Sequence, residues 1–108
     1  MKWYKIFDTV EEAEISVPLN HTITASFKSL KICIAHTGKG WFAIEDECPH
    51  QGESLNKGTI NYLNEVICPW HSYRYSLEHG RECSQKTRDA RVFIMEVREN
   101  GIFLGLES

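Results

Sequence analysis

Two short segments of the chain combine cysteine with histidine at close spacing. The first is Cys48-Pro-His50, the second is Cys68-Pro-Trp-His71, and residues 51–67 separate them. Thiolates and imidazoles are side chains that bind zinc and iron in proteins. A proline follows each cysteine, which fixes a backbone φ angle, removes an amide donor and stiffens the segment. The four side chains therefore form a candidate metal-ligand set.

Each of the two segments carries one thiolate and one imidazole, and this order bears on what they bind. A structural zinc ion accepts two cysteines and two histidines, but zinc fingers usually pair cysteine with cysteine and histidine with histidine along the chain. An iron–sulfur cluster in which two histidines replace two cysteines on one iron needs the same four ligands, so each segment would give one ligand to each iron. The pattern favours the cluster; zinc and two unrelated Cys-Pro turns are the alternatives.

The rest of the chain reads as short strands separated by turn signals, which is typical of an all-β domain. Lys2–Phe7 is a short aromatic strand, and Thr37–Gly40 and Glu99–Gly101 provide the turns of two hairpins. Thr9 stands three residues before Glu12, the spacing of a capping box, and predicts one helical turn. Long helical periodicity is absent from the sequence. The two Cys-His segments are therefore expected at the tips of β-hairpins.

Composition limits the possible partners and location of the protein. The 108 residues suffice for one domain, and 42% of them are hydrophobic, which allows a packed core. The net charge of −3 without a basic run argues against a nucleic-acid partner. No apolar run approaches the ~18 residues that span a bilayer, and the start lacks the apolar segment of a signal peptide. We therefore expect a cytoplasmic protein that does not bind a membrane.

The four cysteines of the chain are not equivalent. In a reducing cytoplasm, cysteines indicate metal or redox chemistry before disulfides. Only Cys48 and Cys68 have a histidine close behind them. Cys33 belongs to an alternating strand and is predicted to be a buried small residue, whereas Cys83 lies in a polar stretch and is predicted to be a free thiol.

The segments CPHQGESLNKG and CPWHSYRYSLEHG resemble the two cluster-binding loops of Rieske proteins, in particular those of the small soluble Rieske-type ferredoxins. The resemblance implies the Rieske fold, an antiparallel β-sandwich base with a cluster-binding subdomain of two hairpin loops. It implies a single domain over residues 1–108 with the subdomain at about residues 46–80. It also implies one 2Fe–2S cluster per chain. Cys48 and Cys68 would bind one iron, and His50 and His71 would bind the other through Nδ1.

Further residues of the two loops are expected to surround the cluster, namely Gln51, Gly52, Trp70, Tyr73 and Tyr75. Tyr75 matches the family tyrosine that hydrogen-bonds a ligand sulfur. Tyr73 replaces the serine that, in respiratory Rieske proteins, donates a hydrogen bond to a bridging sulfide. Trp70 is expected to pack under its loop, with an exposed docking surface as the alternative.

Three departures from the family pattern concern the surroundings of the loops. Respiratory Rieske proteins join the loops by a disulfide, but Glu53 and Trp70 stand at those positions, so no such bridge can form. Ser72 stands where the family usually has glycine. Residues 81–90 lack the proline-rich loop that often covers the cluster, which leaves open what lies on that side.

The resemblance implies an electron-transfer protein that is not itself an enzyme. It would accept single electrons from a flavin-dependent reductase and pass them to a terminal oxygenase or another oxidoreductase. The chain has no room for the mononuclear iron domain, with two histidines and a carboxylate, of Rieske oxygenase large subunits. Two alternatives remain: the small Rieske-like subunit of a nitrite reductase-type complex, and a zinc-stabilised interaction module.

We expect a reduction potential at the bottom of the Rieske range, on the order of −150 mV. Two ferric ions, two sulfides, two thiolates and two neutral imidazoles sum to zero charge, so reduction is easier than with four thiolates. Hydrogen bonds to the sulfurs raise the potential further, and the loss of the serine hydroxyl at position 73 should therefore lower it. Redox titration is the measurement, and a value above about +100 mV would contradict this expectation.

Overall fold

The computed structural model describes residues 1–27, 29–50, 52–70 and 72–107. Within these ranges the regular secondary structure is nearly all β-strand, as the sequence predicts. The elements in chain order are β1 (Lys2–Phe7), α1 (Val10–Ser16), β2 (His21–Phe27), β3 (Leu30–Thr37), β4 (Gly40–Glu45), a 3₁₀ turn (Leu55–Lys57), β5 (Thr59–Ile60), β6 (Glu65–Ile67), β7 (Arg74–Ser76), β8 (Val92–Arg98) and β9 (Gly101–Leu106).

Six strands form one antiparallel sheet in the order β1-β9-β8-β4-β3-β2. Both predicted hairpin turns are confirmed, because Thr37 pairs with Gly40 and Arg98 pairs with Gly101. Leu104 of β9 shares a buried cluster with Ile32 of β3, although β8 and β4 separate these strands in the sheet. The sheet must therefore fold over on itself, which gives the expected sandwich base.

The predicted helical turn after β1 is also confirmed. The Oγ1 atom of Thr9 accepts a hydrogen bond of 3.0 Å from the backbone N–H of Glu12, which is the expected N-terminal cap of α1. The helix buries Ala13 against Phe7 and Ile102 at one end of the sandwich. Among the described residues, no helix has the length and apolar character needed to cross a membrane.

A second, three-stranded antiparallel sheet, in the order β5-β6-β7, is inserted between β4 and β8. Its buried side chains share one core with residues of the base, so the two sheets are packed together and are not linked only through the chain. This shared core comprises Cys33, Ala35, Ile44, Cys48, Leu55, Val66, Cys68, Tyr75, Leu77 and Ala90. Both cysteines of the Cys-His segments therefore lie within it.

Gly58 brings the 3₁₀ turn into close contact with β6. A Cβ atom at this position would lie 1.8 Å from the backbone oxygen of Ile67 and 2.9 Å from its carbonyl carbon. Neither distance is compatible with a side chain, and a backbone carbonyl within a sheet has little freedom to move. Gly58 thus fixes the spacing between the end of the first Cys-His loop and the strand that leads into the second.

Replacing Gly58 with alanine is expected to destabilise the fold by about 2–3 kcal/mol, because the added methyl group overlaps the Ile67 carbonyl. The measurement is the free energy of unfolding in urea. The matched control is Gly38→Ala, since no atom lies within 4 Å of a Cβ at that position. The control should change stability by less than about 0.5 kcal/mol. Equal effects of the two substitutions would contradict the steric explanation.

Candidate metal centre

The two Cys-His segments form two loops of matching geometry. The N–H of Cys48 donates to the carbonyl of Glu53 at 2.8 Å, and the N–H of Cys68 donates to the carbonyl of Tyr73 at 2.7 Å. Each loop therefore begins with its cysteine and is closed five residues later. The second loop joins β6 to β7, and a β-bridge between Glu47 and Ser54 flanks the first. For the described residues 48–50 and 68–70, the expectation that the segments lie at hairpin tips is confirmed.

A left-handed residue lies near the end of each loop. Gly52 has φ = +77° and its N–H donates to the carbonyl of Cys48 at 2.8 Å. Ser72 has φ = +57°, so the serine adopts the backbone conformation that glycine occupies most easily. Serine at position 72 therefore adopts a left-handed conformation at some cost in backbone strain.

The two cysteine side chains are buried together at the base of the loops. Cys48 is 1% exposed and Cys68 is 0% exposed. Burial, reinforced by a hydrogen bond with Cys48, raises the pKa of the Cys68 thiol to about 11. Such a thiol gives up its proton at neutral pH only to a strong competitor, and a thiophilic metal is one. The pair is therefore suited to binding a metal and not to surface nucleophilic chemistry.

Tyr75 provides a hydrogen-bonding group at this thiol pair. Its side chain is completely buried, and its hydroxyl oxygen lies 3.5 Å from Sγ of Cys48. Burial is the main cause that raises the pKa of the Tyr75 hydroxyl above its ordinary value, so the phenol keeps its proton. The hydrogen bond expected between Tyr75 and a cysteine sulfur is therefore present.

His50 lies at the outer part of the same site. The residue as a whole is partly exposed, whereas its Nδ1 atom is buried. The imidazole ring stacks on the ring of Tyr73, with 4.1 Å between the ring centroids and 21° between the planes. Sequence reasoning considered Tyr73 only as a missing serine and did not find this contact, because stacking between loops depends on their packing in space.

Two of the predicted site residues, His71 and Gln51, lie outside the described residues. The structure therefore places three of the four candidate ligands, namely Cys48, His50 and Cys68. Among the residues that it describes, histidine, cysteine, aspartate and glutamate side chains form no group of three or more that would hold one metal ion. Two of the described thiols are buried next to each other, and a hydroxyl group faces one of them. This arrangement fits the part of a cluster in which cysteine sulfurs bind one iron and a separate pair of ligands binds the other.

The expectation that Trp70 packs under its loop is wrong. Its side chain is 49% exposed. The space beneath the loop is already filled by buried side chains, among them Cys68 and Tyr75. About half of the indole is instead exposed to solvent, next in the chain to Cys68 and Pro69.

Asp46 is a structural residue of the site that sequence reasoning missed. It is 6% exposed and lies two positions before Cys48. Its carboxylate accepts hydrogen bonds from the hydroxyl of Ser54 at 2.6 Å and from the N–H of Asn56 at 3.0 Å. These bonds hold the chain that leaves the first loop against the chain that enters it. An aspartate before a cysteine is too common a pattern to have indicated this role.

Residues 81–90 cover the Tyr75 side of the site. The sequence alone did not show which residues would lie on that side. Glu82 is 2% exposed and accepts backbone hydrogen bonds from Ser84 at 2.9 Å and Lys86 at 2.7 Å. Burial alone would raise the pKa of Glu82, but these hydrogen bonds lower it. The resulting turn places the hydroxyl of Thr87 3.2 Å from that of Tyr75.

The remaining cysteines agree with their predictions. Cys33 is fully buried in the core, and burial raises the pKa of its thiol to about 12. Cys83 is exposed, and all four cysteines are free. Cys33 and Cys83 provide buried and exposed controls for the two cysteines of the site.

Comparison with known proteins gives ferredoxins of oxygenase systems and nitrite reductase small subunits. The 3-phenylpropionate/cinnamic acid dioxygenase ferredoxin subunit of Photorhabdus laumondii is 26% identical over 74 residues, which are 68% of this chain and 70% of that relative. One chain of the solved complex of reduced oxygenase and oxidized ferredoxin in carbazole 1,9a-dioxygenase matches with a TM-score of 0.79 at 21% identity, covering 94% of this chain and 100% of that one. A candidate NADH-dependent nitrite reductase small subunit from Mycobacterium tuberculosis matches with a TM-score of 0.83 at 12% identity, covering 99% and 96%.

These findings confirm the fold and the general function that the sequence predicts. At their low identities the two solved structures establish the fold alone. The sequence relatives are named as ferredoxin components of oxygenase systems, and the chain, like them, is an electron carrier and not a catalyst. The Rieske [2Fe-2S] domain model matches residues 3–96, most of the chain, and this protein therefore belongs to the Rieske [2Fe-2S] domain family.

Proposed function

We propose that this chain carries single electrons on one 2Fe–2S cluster per chain, with Cys48 and Cys68 on one iron and His50 and His71 on the other. The observation that supports this most strongly is the pair of loops with matching closure, each starting at one of two adjoining buried thiols. The family match supports a cluster of this type. We also propose that residues 1–108 form a single domain whose cluster-binding part is at about residues 46–80.

The residues of the chain would have separate tasks around the bound cluster, which supplies the one-electron redox chemistry. The buried thiols keep water from the sulfur side of the site. Tyr75 donates a hydrogen bond to Cys48, which favours the more negative, reduced state. The stacked ring of Tyr73 holds the imidazole of His50 in one orientation.

Electrons would enter and leave on the histidine side of the site. Cys48 and Cys68 are buried in the core, whereas His50 is partly exposed. The half-exposed indole of Trp70 lies at the tip of the neighbouring loop and provides an apolar surface for docking. An electron could then pass over a short path from the imidazole to a docked protein without any movement of the core.

The partners in this proposal are a flavin-dependent reductase as donor and a terminal oxygenase as acceptor. Support for the acceptor comes from the names of the relatives and from the solved complex of oxygenase with ferredoxin. The proposal of a flavin-dependent reductase as electron donor rests on the resemblance of the chain to ferredoxins of such systems. A cytoplasmic location belongs to the same proposal and is supported by the four free cysteines.

A second candidate is the small subunit of a nitrite reductase-type complex. The observation in its favour is the match to the nitrite reductase small subunit, whose TM-score of 0.83 is close to the 0.84 of a carbazole 1,9a-dioxygenase ferredoxin. The presence of all four candidate ligands in the sequence favours the carrier, because the ligand pattern is often degenerate in nitrite reductase small subunits.

Replacing Cys68 with alanine is expected to abolish cluster binding, because one iron would lose half of its protein ligands. Anaerobically purified protein should contain about two iron and two acid-labile sulfide per chain, and the variant should contain neither. Iron and sulfide analysis and the visible spectrum are the measurements. His50→Ala should have the same effect through the other iron.

Matched controls separate ligation from general damage to the fold. Cys33→Ala changes another fully buried cysteine of the same core, and Cys83→Ala changes an exposed one. Both variants should keep the full cluster content. The ligand assignment would be wrong if Cys68→Ala kept its iron and sulfide, or if the wild-type protein bound zinc in place of iron.

The reduced protein is expected to purify from its native cell without a stoichiometric large subunit and to be reoxidised by a terminal oxygenase. The measurements are native mass determination and stopped-flow absorbance of the cluster. Trp70→Ala should slow reoxidation by the oxygenase several-fold while leaving the reduction potential unchanged, because the indole is exposed. Isolation in a fixed complex with a nitrite-reducing subunit would favour the second candidate.

A further inference from the structure

A line of three polar groups runs from residues 81–90 to the thiol pair. The Oγ1 atom of Thr87 lies 3.2 Å from the hydroxyl oxygen of Tyr75, and that oxygen lies 3.5 Å from Sγ of Cys48. Thr87 is partly buried and Tyr75 is fully buried, so the line is largely shielded from water. The line connects the metal centre to a segment that does not belong to either Cys-His loop.

The number of hydroxyl protons on this line determines which group donates and which accepts in each hydrogen bond. Tyr75 has a single hydroxyl proton and two possible acceptors, the sulfur of Cys48 and the oxygen of Thr87. A metal-bound thiolate is negatively charged, and hydrogen bonds to charged acceptors are about twice as strong as neutral ones. The Tyr75 proton therefore goes to the sulfur. The proton between Tyr75 and Thr87 must then be the one on Thr87.

The Thr87 hydroxyl also lies 2.8 Å from the carbonyl oxygen of Arg88. A carbonyl only accepts, so Thr87 donates one proton toward two oxygens in a three-centre arrangement. The Arg88 carbonyl thus fixes the rotation of the hydroxyl, while the Tyr75 oxygen receives a share of its proton. A phenol that accepts a hydrogen bond becomes a better donor, because successive hydrogen bonds polarise one another.

We infer that Thr87 is a positioning residue that raises the reduction potential of the cluster by donating to Tyr75 and so strengthening the hydrogen bond from Tyr75 to Cys48. This inference rests on the proposed cluster ligation by Cys48. A stronger hydrogen bond to a ligand sulfur stabilises the reduced state more than the oxidised state, since the reduced state has the greater negative charge. The segment that replaces the proline-rich cover then has a role in setting the potential.

The experiment compares Thr87→Val with Thr87→Ser by redox titration of the cluster-loaded proteins. Valine keeps the shape of threonine without the hydroxyl, whereas serine keeps the hydroxyl. Thr87→Val should lower the equilibrium constant for reduction threefold to tenfold, which corresponds to a shift of about 30–60 mV to more negative potential at about 59 mV per tenfold for one electron. Thr87→Ser should keep the wild-type potential.

A second pair of variants tests whether Thr87 acts through Tyr75. In a Tyr75→Phe background the same Thr87→Val substitution should leave the potential unchanged, because the intervening hydroxyl is gone. A change of packing near the site would instead shift the potential in both backgrounds. Equal shifts in the two backgrounds would therefore overturn the inference.

The direction of the shift is equally decisive. An unchanged potential in Thr87→Val would overturn the inference, and so would a rise, which would show that Thr87 takes the Tyr75 proton from the sulfur. Visible and EPR spectra of each protein establish that the cluster is present. A wild-type protein without a cluster would refute the proposed function itself, whereas a loaded variant with the wrong shift would refute only the role of Thr87.

Discussion

The structure depends above all on the burial of two adjoining thiols in a core that the two sheets share. Cys48 and Cys68 are each at most 1% exposed and pack with residues of both sheets. Burying two thiols there costs little while they are neutral, but two buried thiolates without a cation would repel each other and lose hydration. Metal binding removes this conflict, so the same core that stabilises the fold also favours an occupied site.

The loops that bring the thiols together are held mainly by polar groups outside the ligand set. Asp46 fixes the chain around the first loop by accepting hydrogen bonds from the Ser54 hydroxyl and the backbone N–H of Asn56. Glu82 has a similar role in residues 81–90, where it accepts two backbone hydrogen bonds. Each carboxylate is nearly buried, and each satisfies groups that water would otherwise bind. These hydrogen bonds thus stabilise the segments that flank the loops, where no disulfide joins the described cysteines.

The sequence was sufficient for those features that follow from local spacing. The strands, the Thr9 cap and both hairpin turns depend on neighbouring residues, and they were predicted correctly. The stacking of Tyr73 on His50 and the contact of Thr87 with Tyr75 join residues that are distant in the chain, so spacing gives no signal for them. Trp70 was predicted wrongly because an average preference for burial ignores that other side chains already fill the core beneath its loop.

The site has a buried end and an exposed end, and this difference separates two properties that an electron carrier must control. At the buried end, the sulfurs and Tyr75 are shielded from solvent and Thr87 is partly buried, and in such surroundings a hydrogen bond has its greatest effect on the energy of the reduced state. At the other end, His50 and Trp70 reach the surface, where the proposed docking of a partner would take place. On this proposal, a substitution at the loop tip alters partner choice without altering the potential. The converse holds for Thr87, whose contact with the described part of the site is with the buried hydroxyl of Tyr75.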